Sequence, residues 1–537
     1  MIDPGNRNAH PNFILFCTDQ QRADFLGCTG HPVLKTPNID SISAGGVRFD
    51  RCYVSSPQCM PNRSTMMTGR TPSAHGVRTN GIPLSLQANT FVDLLRYEGY
   101  RTALIGKSHL QNMLDAEPYR IPESVVERNR KGVSEFADAW KPIAQDNYDQ
   151  EGMSTWRGYG YVPYRRNYYG FEYVDLCTLH GDTAGGDYYR WLKRQRYDAD
   201  ELRGRDNALP HDYICPQAWR TAVPEELYPT RYIQQRAVEW LKSSDTRRNE
   251  KPFFLMVSFP DPHHPFTPPG RYWDMYRPED MAVPASLEAN ATPTPFLKHT
   301  REYSRGVGAN EYHAMSVNRR EAQEANALTC GMIAMIDDAV GEVLKALADS
   351  GLSDSTVLAF TSDHGDLMGD HGLILKGPFH YQGLIRVPLL WSDPYADTDQ
   401  VNACQNLVGT MDIAPTILER TGITPFHGMN GRSLLGLMQE ETPPWRSHVI
   451  VEEEQHDGVL GHDGPLRLRT LVTDRFRMTI YADQKWGELY DLHDDPNELQ
   501  NLWDDPGASA LRADMMYELA FEQIRMTDLS PYPVRLG

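Results

Sequence analysis

A cysteine followed at short spacing by proline and arginine is the most chemically suggestive feature of the 537-residue sequence. The segment reads Cys59-Met60-Pro61-Asn62-Arg63-Ser64 and continues to Gly69-Arg70. Pro61 is typical of the first turn of a helix, and Gly69 is typical of the residue after its end. Cys59 would then lie near a helix N-terminus, where free N–H groups attract an anion. Arg63, one turn along, can approach the same anion; the alternative is a structural buried cysteine.

Four further polar clusters each follow a short apolar run of strand length. The runs 13–17, 102–105, 253–259 and 357–360 precede, in that order, Asp19-Gln20, Gly106-Lys107-Ser108-His109, Asp261-Pro262-His263-His264 and Ser362-Asp363-His364-Gly365. Strands alternating with helical patterns favour an α/β domain with a large, mostly parallel sheet flanked by helices. Because ligands bind at the carboxyl ends of the strands in such sheets, we expect the four clusters to converge on one edge.

Helical patterns and a change of pattern near residue 440 set the expected domain organisation. Helices are expected over 91–98, over 412–420, and from Ile333, where apolar residues fall on one face. Beyond residue 440 the sequence predicts strands over 449–452, 466–472 and 476–481, and a final helix over about 509–524. We therefore expect a large α/β domain over 1–440 and a smaller α+β domain with an antiparallel sheet over 441–537.

The segment from about 115 to 230 is rich in Tyr, Trp and Arg and has little clean periodicity. We interpret it as an insertion that shapes substrate access or a subunit contact. The alternative, that it only covers the surface, stays open at this point.

Composition excludes several classes of protein. The net charge of −19 argues against a general nucleic-acid binder, which needs a basic surface. The eight cysteines show no CxxC spacing, so neither a zinc site nor a dense disulfide framework is indicated. No apolar stretch approaches the roughly 18 residues of a membrane helix, and the N-terminus lacks the pattern of a signal peptide. The expectation is a cytoplasmic protein without a membrane partner.

The cysteine motif resembles a known family signature. Cys59-x-Pro61-x-Arg63, followed by Thr68-Gly69-Arg70, is similar to the signature of the type I sulfatases of the alkaline phosphatase superfamily. The resemblance extends from Asp19 to the stretch Gly487-Glu488-Leu489-Tyr490-Asp491-Leu492 and leaves out about 115–230. It implies that a formylglycine-generating enzyme oxidises Cys59 to formylglycine, whose metal-bound gem-diol is the nucleophile. One hydroxyl attacks sulfur, and deprotonation of the other expels sulfate.

The resemblance also implies one divalent metal, held by Asp19, Gln20, residue 59, Asp363 and His364. Many family members have Asp-Asp and Asp-Asn where this chain has Asp19-Gln20 and Asp363-His364. The pairs found here resemble the branch that contains phosphonate monoester hydrolases and choline sulfatases. One carboxylate fewer and one imidazole more shift the expected metal from Ca²⁺ toward Mn²⁺. Asp after a strand is also a common helix cap, which is the alternative for the two aspartates.

The remaining implied site residues are cationic or hydrogen-bonding groups. They are Arg63, Asn80, Lys107, His109, His263 and Lys376. The lysine of Gly-Lys-x-His bridges the nucleophile and a sulfate oxygen, and His109 takes the second diol proton. His263 and Lys376 contact the sulfate and the leaving oxygen, while Asn80 faces the transferred group. A solvated surface position is the alternative for each; His264 and His371 are expected to be structural neighbours.

Lys107 and His109 discriminate between branches, because phosphonate monoester hydrolases have Tyr and Thr at the matching positions. The sequence therefore predicts a sulfatase for aryl, small alkyl or sugar sulfate monoesters, an arylsulfatase-like sulfuric ester hydrolase. The alternative is a phosphonate monoester or phosphate diester hydrolase with the same residues. A catalytically silent binding protein is disfavoured because the charged groups are intact. A homo-oligomer, dimer or tetramer, is implied by analogy with family members that carry long insertions.

Overall fold

The computed structural model describes residues 10–114, 148–157, 168–243, 246, 251–289, 292–304, 315–396, 402–439, 444–456, 459–462, 464–530 and 532–533. Its strands, in chain order, are β1 Asn12–Thr18, β2 Val47–Phe49, β3 Cys52–Tyr53, β4 Arg101–Gly106, β5 Tyr173–Leu176, β6 Phe253–Ser258, β7 Met315–Ser316, β8 Thr356–Ser362, β9 Leu373–Ile374, β10 Arg386–Val387, β11 Leu389–Ser392, β12 Ala403–Cys404, β13 Val408–Gly409, β14 His448–Gln455, β15 Leu466–Thr473, β16 Phe476–Tyr481 and β17 Gly487–Asp491.

The α-helices of the described ranges flank these strands. They are α1 Pro37–Ala44, α2 Cys59–Thr68, α3 Pro72–His75, α4 Phe91–Tyr97, α5 Met153–Arg157, α6 Asp187–Gln195, α7 Pro229–Lys242, α8 Ala285–Glu288, α9 Pro295–Tyr303, α10 Arg319–Asp349, α11 Gln382–Ile385, α12 Ile413–Arg420 and α13 Ser509–Arg525. Helix α10 begins with a reciprocal capping box between Asn318 and Glu321, which satisfies two backbone N–H groups at the helix start. No helix in the ranges given above has the length and apolarity needed to cross a membrane.

Eight strands form the main sheet, in the order β12-β2-β11-β8-β1-β6-β4-β5. The five strands from β8 to β5 are parallel, and β11 joins β8 in antiparallel pairing. Alternate residues of β1 face opposite sides, with Phe13 and Leu15 in one apolar cluster and Ile14 and Phe16 in another. The predicted mostly parallel sheet, covered on both faces, is confirmed.

The C-terminal sheet is antiparallel, with the strand order β14-β15-β16-β17. One face packs on α13 through Met515 and Leu519. The other face contacts the segment after β9, where Phe379 and Tyr381 join its apolar cluster. The predicted second sheet and final helix are therefore present.

The described part of the segment 115–230 differs from a surface insertion in one respect. Strand β5 comes from this segment and pairs in parallel with β4 at the edge of the main sheet. Its four residues are too short a run to stand out among the surrounding aromatic and arginine residues. Residues 115–147 and 158–167 lie outside the described ranges.

Candidate active site

The polar clusters lie directly after the ends of parallel strands. Cys17 of β1 is in register with Ser258 of β6 and Thr361 of β8, and Gly106 of β4 is also in register with Ser258. The residues that follow these strands therefore share one edge of the sheet. The expected convergence is found.

Cys59 is the first residue of α2, a helix whose ten residues are all buried. Pro61 lies in its first turn, and Gly69 ends it with φ 63°, a left-handed conformation that glycine adopts without strain. Within this buried first turn, the Met60 N–H donates to Asn80 Oδ1 and the Asn62 N–H donates to the Gln58 carbonyl, while Pro61 has no N–H to donate.

A network of short contacts surrounds the Cys59 sulfur. Sγ lies 3.1 Å from Lys376 Nζ and 3.1 Å from His364 Nε2. Lys376 Nζ is also 2.8 Å from His263 Nε2 and 3.2 Å from Gln20 Oε1. Five residues from five separate chain segments thus meet around one sulfur atom.

Two of these residues, together with two aspartates, can hold a divalent cation. The ligand atoms of Asp19, Cys59, Asp363 and His364 lie within 4.8 Å of one another, and all four side chains are buried. His364 Nδ1 faces the Gly365 carbonyl at 2.8 Å, so Nδ1–H donates there and the Nε2 lone pair is directed into the cluster. Two carboxylates and an imidazole suit Mn²⁺ and related divalent cations, so the donor set fits the metal that the resemblance implies.

Gln20 is held beside this group by unusual backbone geometry. Its φ of 64° lies in the left-handed region, which is strained for a residue with a side chain. The conformation lets the Gln20 N–H donate to Asp363 Oδ1 at 3.1 Å. Its amide Nε2 contacts Asp366 Oδ2 and His264, which turns Oε1 toward Lys376.

Arg63 acts on the two aspartates, not on the sulfur. Its Nε donates to Asp363 Oδ2 at 2.7 Å, and its other nitrogens contact Asp19 Oδ2 at 3.4 Å and Ser258 Oγ at 3.0 Å. Burial opposes ionisation of Asp19, but Lys107 and Arg63 outweigh it and hold the pKa of Asp19 well below its ordinary value. Arg63 therefore orients both carboxylates and, together with Lys107, keeps Asp19 charged.

His180 belongs to the site and was missed in the sequence. Its ring stacks on that of His263 with centroids 3.5 Å apart and planes 8° apart. Its Nε2 lies 2.5 Å from Lys107 Nζ, which also bonds to Asp19. The signal that could have identified it is its position four residues after β5, matching the other strand-end clusters.

The protonation states are set by mutual contacts. Burial and Asp19 raise the pKa of Cys59, yet Lys376, His364 and Lys107 outweigh them and lower it. Burial works against the charged form of Lys376, but Cys59, Asp19 and Asp363 raise its pKa. Burial and Lys376 hold the pKa of His263 well below its usual value. A neutral His263 can therefore accept a hydrogen bond from the Lys376 ammonium.

His109 and Asn80 lie at the margin of the network. The backbone N–H of His109 donates to Glu151 Oε2 at 2.7 Å. The ring Nδ1 of His109 is buried, with no hydrogen-bond partner in the described part of the chain. Burial and Lys107 hold the pKa of His109 well below its usual value. Asn80 Oδ1 accepts from the Met60 N–H at 3.0 Å, at the start of α2.

The two histidines expected to be structural neighbours lie as follows. His264 stacks on His263 with centroids 4.0 Å apart and faces Gln20. His371 stacks on Tyr381 with centroids 3.8 Å apart. Burial lowers the pKa of His371 to about 3, so it is neutral at ordinary pH.

The fold is similar to that of solved hydrolase structures. A solved structure, the phosphonate monoester hydrolase of Agrobacterium radiobacter, matches with a TM-score of 0.75 at 24% identity, covering 98% of each chain. At that identity the match shows the fold.

Family models place the chain more narrowly. The sulfatase family model matches residues 11–423, and a model for the C-terminal part of N-sulphoglucosamine sulphohydrolase matches residues 369–525. The chain therefore belongs to the sulfatase family, the sulfuric ester hydrolases that the cysteine motif indicated.

Two relatives match over nearly the whole chain. An arylsulfatase of Clostridium perfringens is 28% identical over 499 residues, covering 92% of this chain and 90% of its own. A multifunctional alkaline phosphatase superfamily protein, PehA, of Trinickia caryophylli is 28% identical over 527 residues, covering 94% and 93%.

Proposed function

We propose that the protein hydrolyses sulfate monoesters of aryl or small alkyl or sugar alcohols, with a nucleophile made from Cys59. The supporting observation is the position of residue 59. It begins a buried helix, and its Sγ lies 3.1 Å from both Lys376 Nζ and His364 Nε2. A nucleophile there faces a cation, a helix N-terminus and two carboxylates that can hold a metal. The similarity to the arylsulfatase of Clostridium perfringens favours an aryl sulfate.

Maturation of residue 59 is part of this proposal. A formylglycine-generating enzyme would convert Cys59 to an aldehyde. The hydrate supplies two hydroxyls on one carbon, one to attack sulfur and one whose deprotonation releases sulfate and regenerates the aldehyde. We propose that His109, whose buried Nδ1 has no hydrogen-bond partner among the described residues, takes that second proton.

A divalent metal, Mn²⁺ or Ca²⁺, would be held by Asp19, Gln20, residue 59, Asp363 and His364. When bound, it supplies Lewis-acid chemistry that lowers the pKa of the attacking hydroxyl. The imidazole of His364 favours Mn²⁺, as does the presence of only one carboxylate in the pair Asp19-Gln20. Arg63 serves this centre by bonding to both aspartates.

Cationic side chains of the protein stabilise the negative charge that develops on the ester during the reaction. Lys376 and His263 form one hydrogen-bonded pair, suited to contact a sulfate oxygen and the leaving oxygen. Lys107 and His180 form a second pair on the other side of Asp19. Asn80, bonded to the first turn of α2, is proposed to face the transferred group. Each such donor is typically worth roughly 3 kcal/mol in the transition state.

A phosphonate monoester or phosphate diester is the second candidate substrate. It is favoured by the pairs Asp19-Gln20 and Asp363-His364, and by the similarity in fold to the phosphonate monoester hydrolase of Agrobacterium radiobacter. The pair Lys107 and His109 favours sulfate, and we weigh it more because it serves the transferred group.

The deciding experiment compares kcat/KM on an aryl sulfate and an aryl phosphonate with the same leaving group, using Cys59→Ala as the blank. We expect the sulfate to be hydrolysed faster. A phosphonate rate higher by orders of magnitude would assign the second function.

Organisation beyond the site is proposed on sequence grounds. We propose that residues 1–440 form the catalytic domain, that 441–537 form the C-terminal domain, and that the protein is a homo-oligomer. The extensive contact of the C-terminal sheet with Phe379 and Tyr381, shortly after Lys376, gives the second domain a role in fixing that lysine.

A further inference from the structure

Residue 59 is a cysteine in the structure, and its sulfur faces metal-ligating groups before any modification. Sγ lies 3.1 Å from His364 Nε2 and 3.9 Å from Asp19 Oδ1. We propose that the unmodified chain is a zinc-binding protein, with Zn²⁺ held by Asp19, Cys59 as thiolate, Asp363 and His364. A matured residue 59 carries oxygen in place of sulfur, so the matured site would suit a harder cation than zinc. This inference rests on the metal centre of the proposed function.

The separations of the ligand atoms suit a tetrahedral cation. Zinc bonds of about 2.0 Å to nitrogen or oxygen and 2.3 Å to sulfur place neighbouring ligand atoms roughly 3.3 to 3.6 Å apart. His364 Nε2 lies 3.6 Å from Asp19 Oδ1 and 3.7 Å from Asp363 Oδ1. With the sulfur contacts of 3.1 and 3.9 Å, these distances scatter around the required value.

The ligands are held in place by contacts outside the cluster. Nδ1 of His364 is engaged by the Gly365 carbonyl, which fixes the ring with Nε2 toward the sulfur. Arg63 bonds to Asp363 at 2.7 Å and to Asp19 at 3.4 Å. These three ligand side chains therefore need little reorganisation when a cation enters, whereas Lys376 Nζ, 3.2 Å from His364 Nε2, has to move away from that nitrogen.

The donor set distinguishes zinc from calcium. Calcium takes six to eight oxygen ligands, whereas a thiolate and an imidazole with two carboxylates form a typical set for zinc. Binding breaks the S–H bond, forms a zinc–sulfur bond and releases one proton to solvent, so neither oxidant nor reductant is needed. Two carboxylates, one thiolate and Zn²⁺ together carry one negative charge, which is more than offset by the Lys376 ammonium at 3.1 Å from Sγ and by Arg63 and Lys107 paired with the aspartates.

Cys17 provides a matched control. It is buried at the end of β1, and its Sγ contacts the Thr18 carbonyl at 3.5 Å. It is not among the four residues whose ligand atoms cluster. A loss of zinc binding that depends on sulfur at residue 59, and not on sulfur at residue 17, would identify the ligand.

The test uses the full chain, produced without a formylglycine-generating enzyme and shown by peptide mass to carry unmodified Cys59. After metal removal, Co²⁺ is titrated as a spectroscopic probe for zinc, and Zn²⁺, Mn²⁺ and Ca²⁺ are then added as competitors. Cys59→Ser and Cys17→Ser are measured alongside, with circular dichroism as the check on folding. A fully matured wild-type sample, which has lost the sulfur at residue 59, gives the same comparison without a substitution.

We expect the unmodified chain and Cys17→Ser to show a thiolate-to-cobalt charge-transfer band at one Co²⁺ per chain. Zn²⁺ should displace the probe, and Ca²⁺ at equal concentration should not. Cys59→Ser and the matured chain should lack the band, with zinc affinity lower by at least about tenfold. The proposal is overturned if the wild-type band is absent, if the band survives in Cys59→Ser, or if Ca²⁺ competes equally. Because this readout is independent of turnover, a matured protein without esterase activity contradicts the proposed function and leaves zinc binding standing.

Discussion

Lys376 Nζ lies 3.1 Å from Cys59 Sγ, although 317 residues separate the two in the chain. The contact joins the start of α2 to the segment after β9, and it places a cation directly against the residue that the family motif marks as the nucleophile. The same ammonium is 2.8 Å from His263 Nε2. Charge that develops on a bound ester would therefore be met by a preorganised donor pair.

Replacement of Lys376 should reduce turnover more than binding. Lys376→Met removes a donor aimed at the developing charge, so kcat/KM should fall by roughly a hundredfold, mostly in kcat. Steady-state kinetics on an aryl sulfate give the values. Lys345→Met, on the exposed face of α10, is the matched control and should keep full activity. Equal kinetics for Lys376→Met and the wild type would remove Lys376 from the reaction.

His180 should matter through its nitrogen, not only through its stacked ring. His180→Phe keeps the stack on His263 but removes the acceptor that faces Lys107 Nζ, and His180→Ala removes both. We expect kcat to fall by roughly tenfold to a hundredfold in both variants, because Lys107 would no longer be held in the position that the reaction requires. If His180→Phe retains wild-type kcat while His180→Ala loses it, the ring alone is required.

The strand-end clusters could be predicted because each depends on a local signal. The apolar runs before Asp19, Lys107, His263 and Asp363 are all strands, and parallel pairing brings their ends together. The helix that begins at Cys59 followed from Pro61 and Gly69. In each case a few neighbouring residues are enough to predict the strand or helix and the position of the polar residues at its end.

What could not be predicted depends on contacts distant in sequence. His180 follows a short strand in a segment without clean periodicity, so no pattern marked it. The direction of the Arg63 side chain also needed the structure, because its partners Asp363 and Asp19 are 300 and 44 residues away. Nothing in the spacing shows which of several anions an arginine will meet.

Removal of the metal should abolish activity and lower stability without unfolding the chain. Arg63 and Lys107 already neutralise charge on the aspartates, so the metal-free fold should persist. A cation at about 100 times its Kd should add roughly 2.7 kcal/mol to the free energy of unfolding. Thermal melts with chelator and after addition of Mn²⁺ measure this. In Asp363→Asn the added stability should be much smaller; full activity after exhaustive chelation would contradict the metal centre.

Asp261 should make the protein less stable as pH rises. Burial raises the pKa of this carboxyl to about 7, against 3.8 for the ordinary group. Between these values the folded state keeps a proton that the unfolded state has lost, so stability is highest at low pH and falls through the folded pKa. The loss amounts to about 4 kcal/mol once the pH is well above 7.

Asp261→Asn is the matched variant, since its amide cannot ionise. Denaturant unfolding of both proteins at several pH values, from about pH 5 to about pH 8, gives the free energy of unfolding as a function of pH, and the slopes of the two curves are compared. The variant should show a flatter decline with pH. Parallel curves would mean that Asp261 is ionised in both states.

The central claim is that the nucleophile derives from Cys59, and the mass of the peptide that contains residue 59 tests it most directly. Protein from its native host should carry a peptide about 18 Da lighter than the cysteine form, the difference between a thiol and a formyl group. Across preparations, sulfate ester turnover should rise in proportion to the lighter fraction. An active preparation in which residue 59 has the full mass of cysteine would contradict the account.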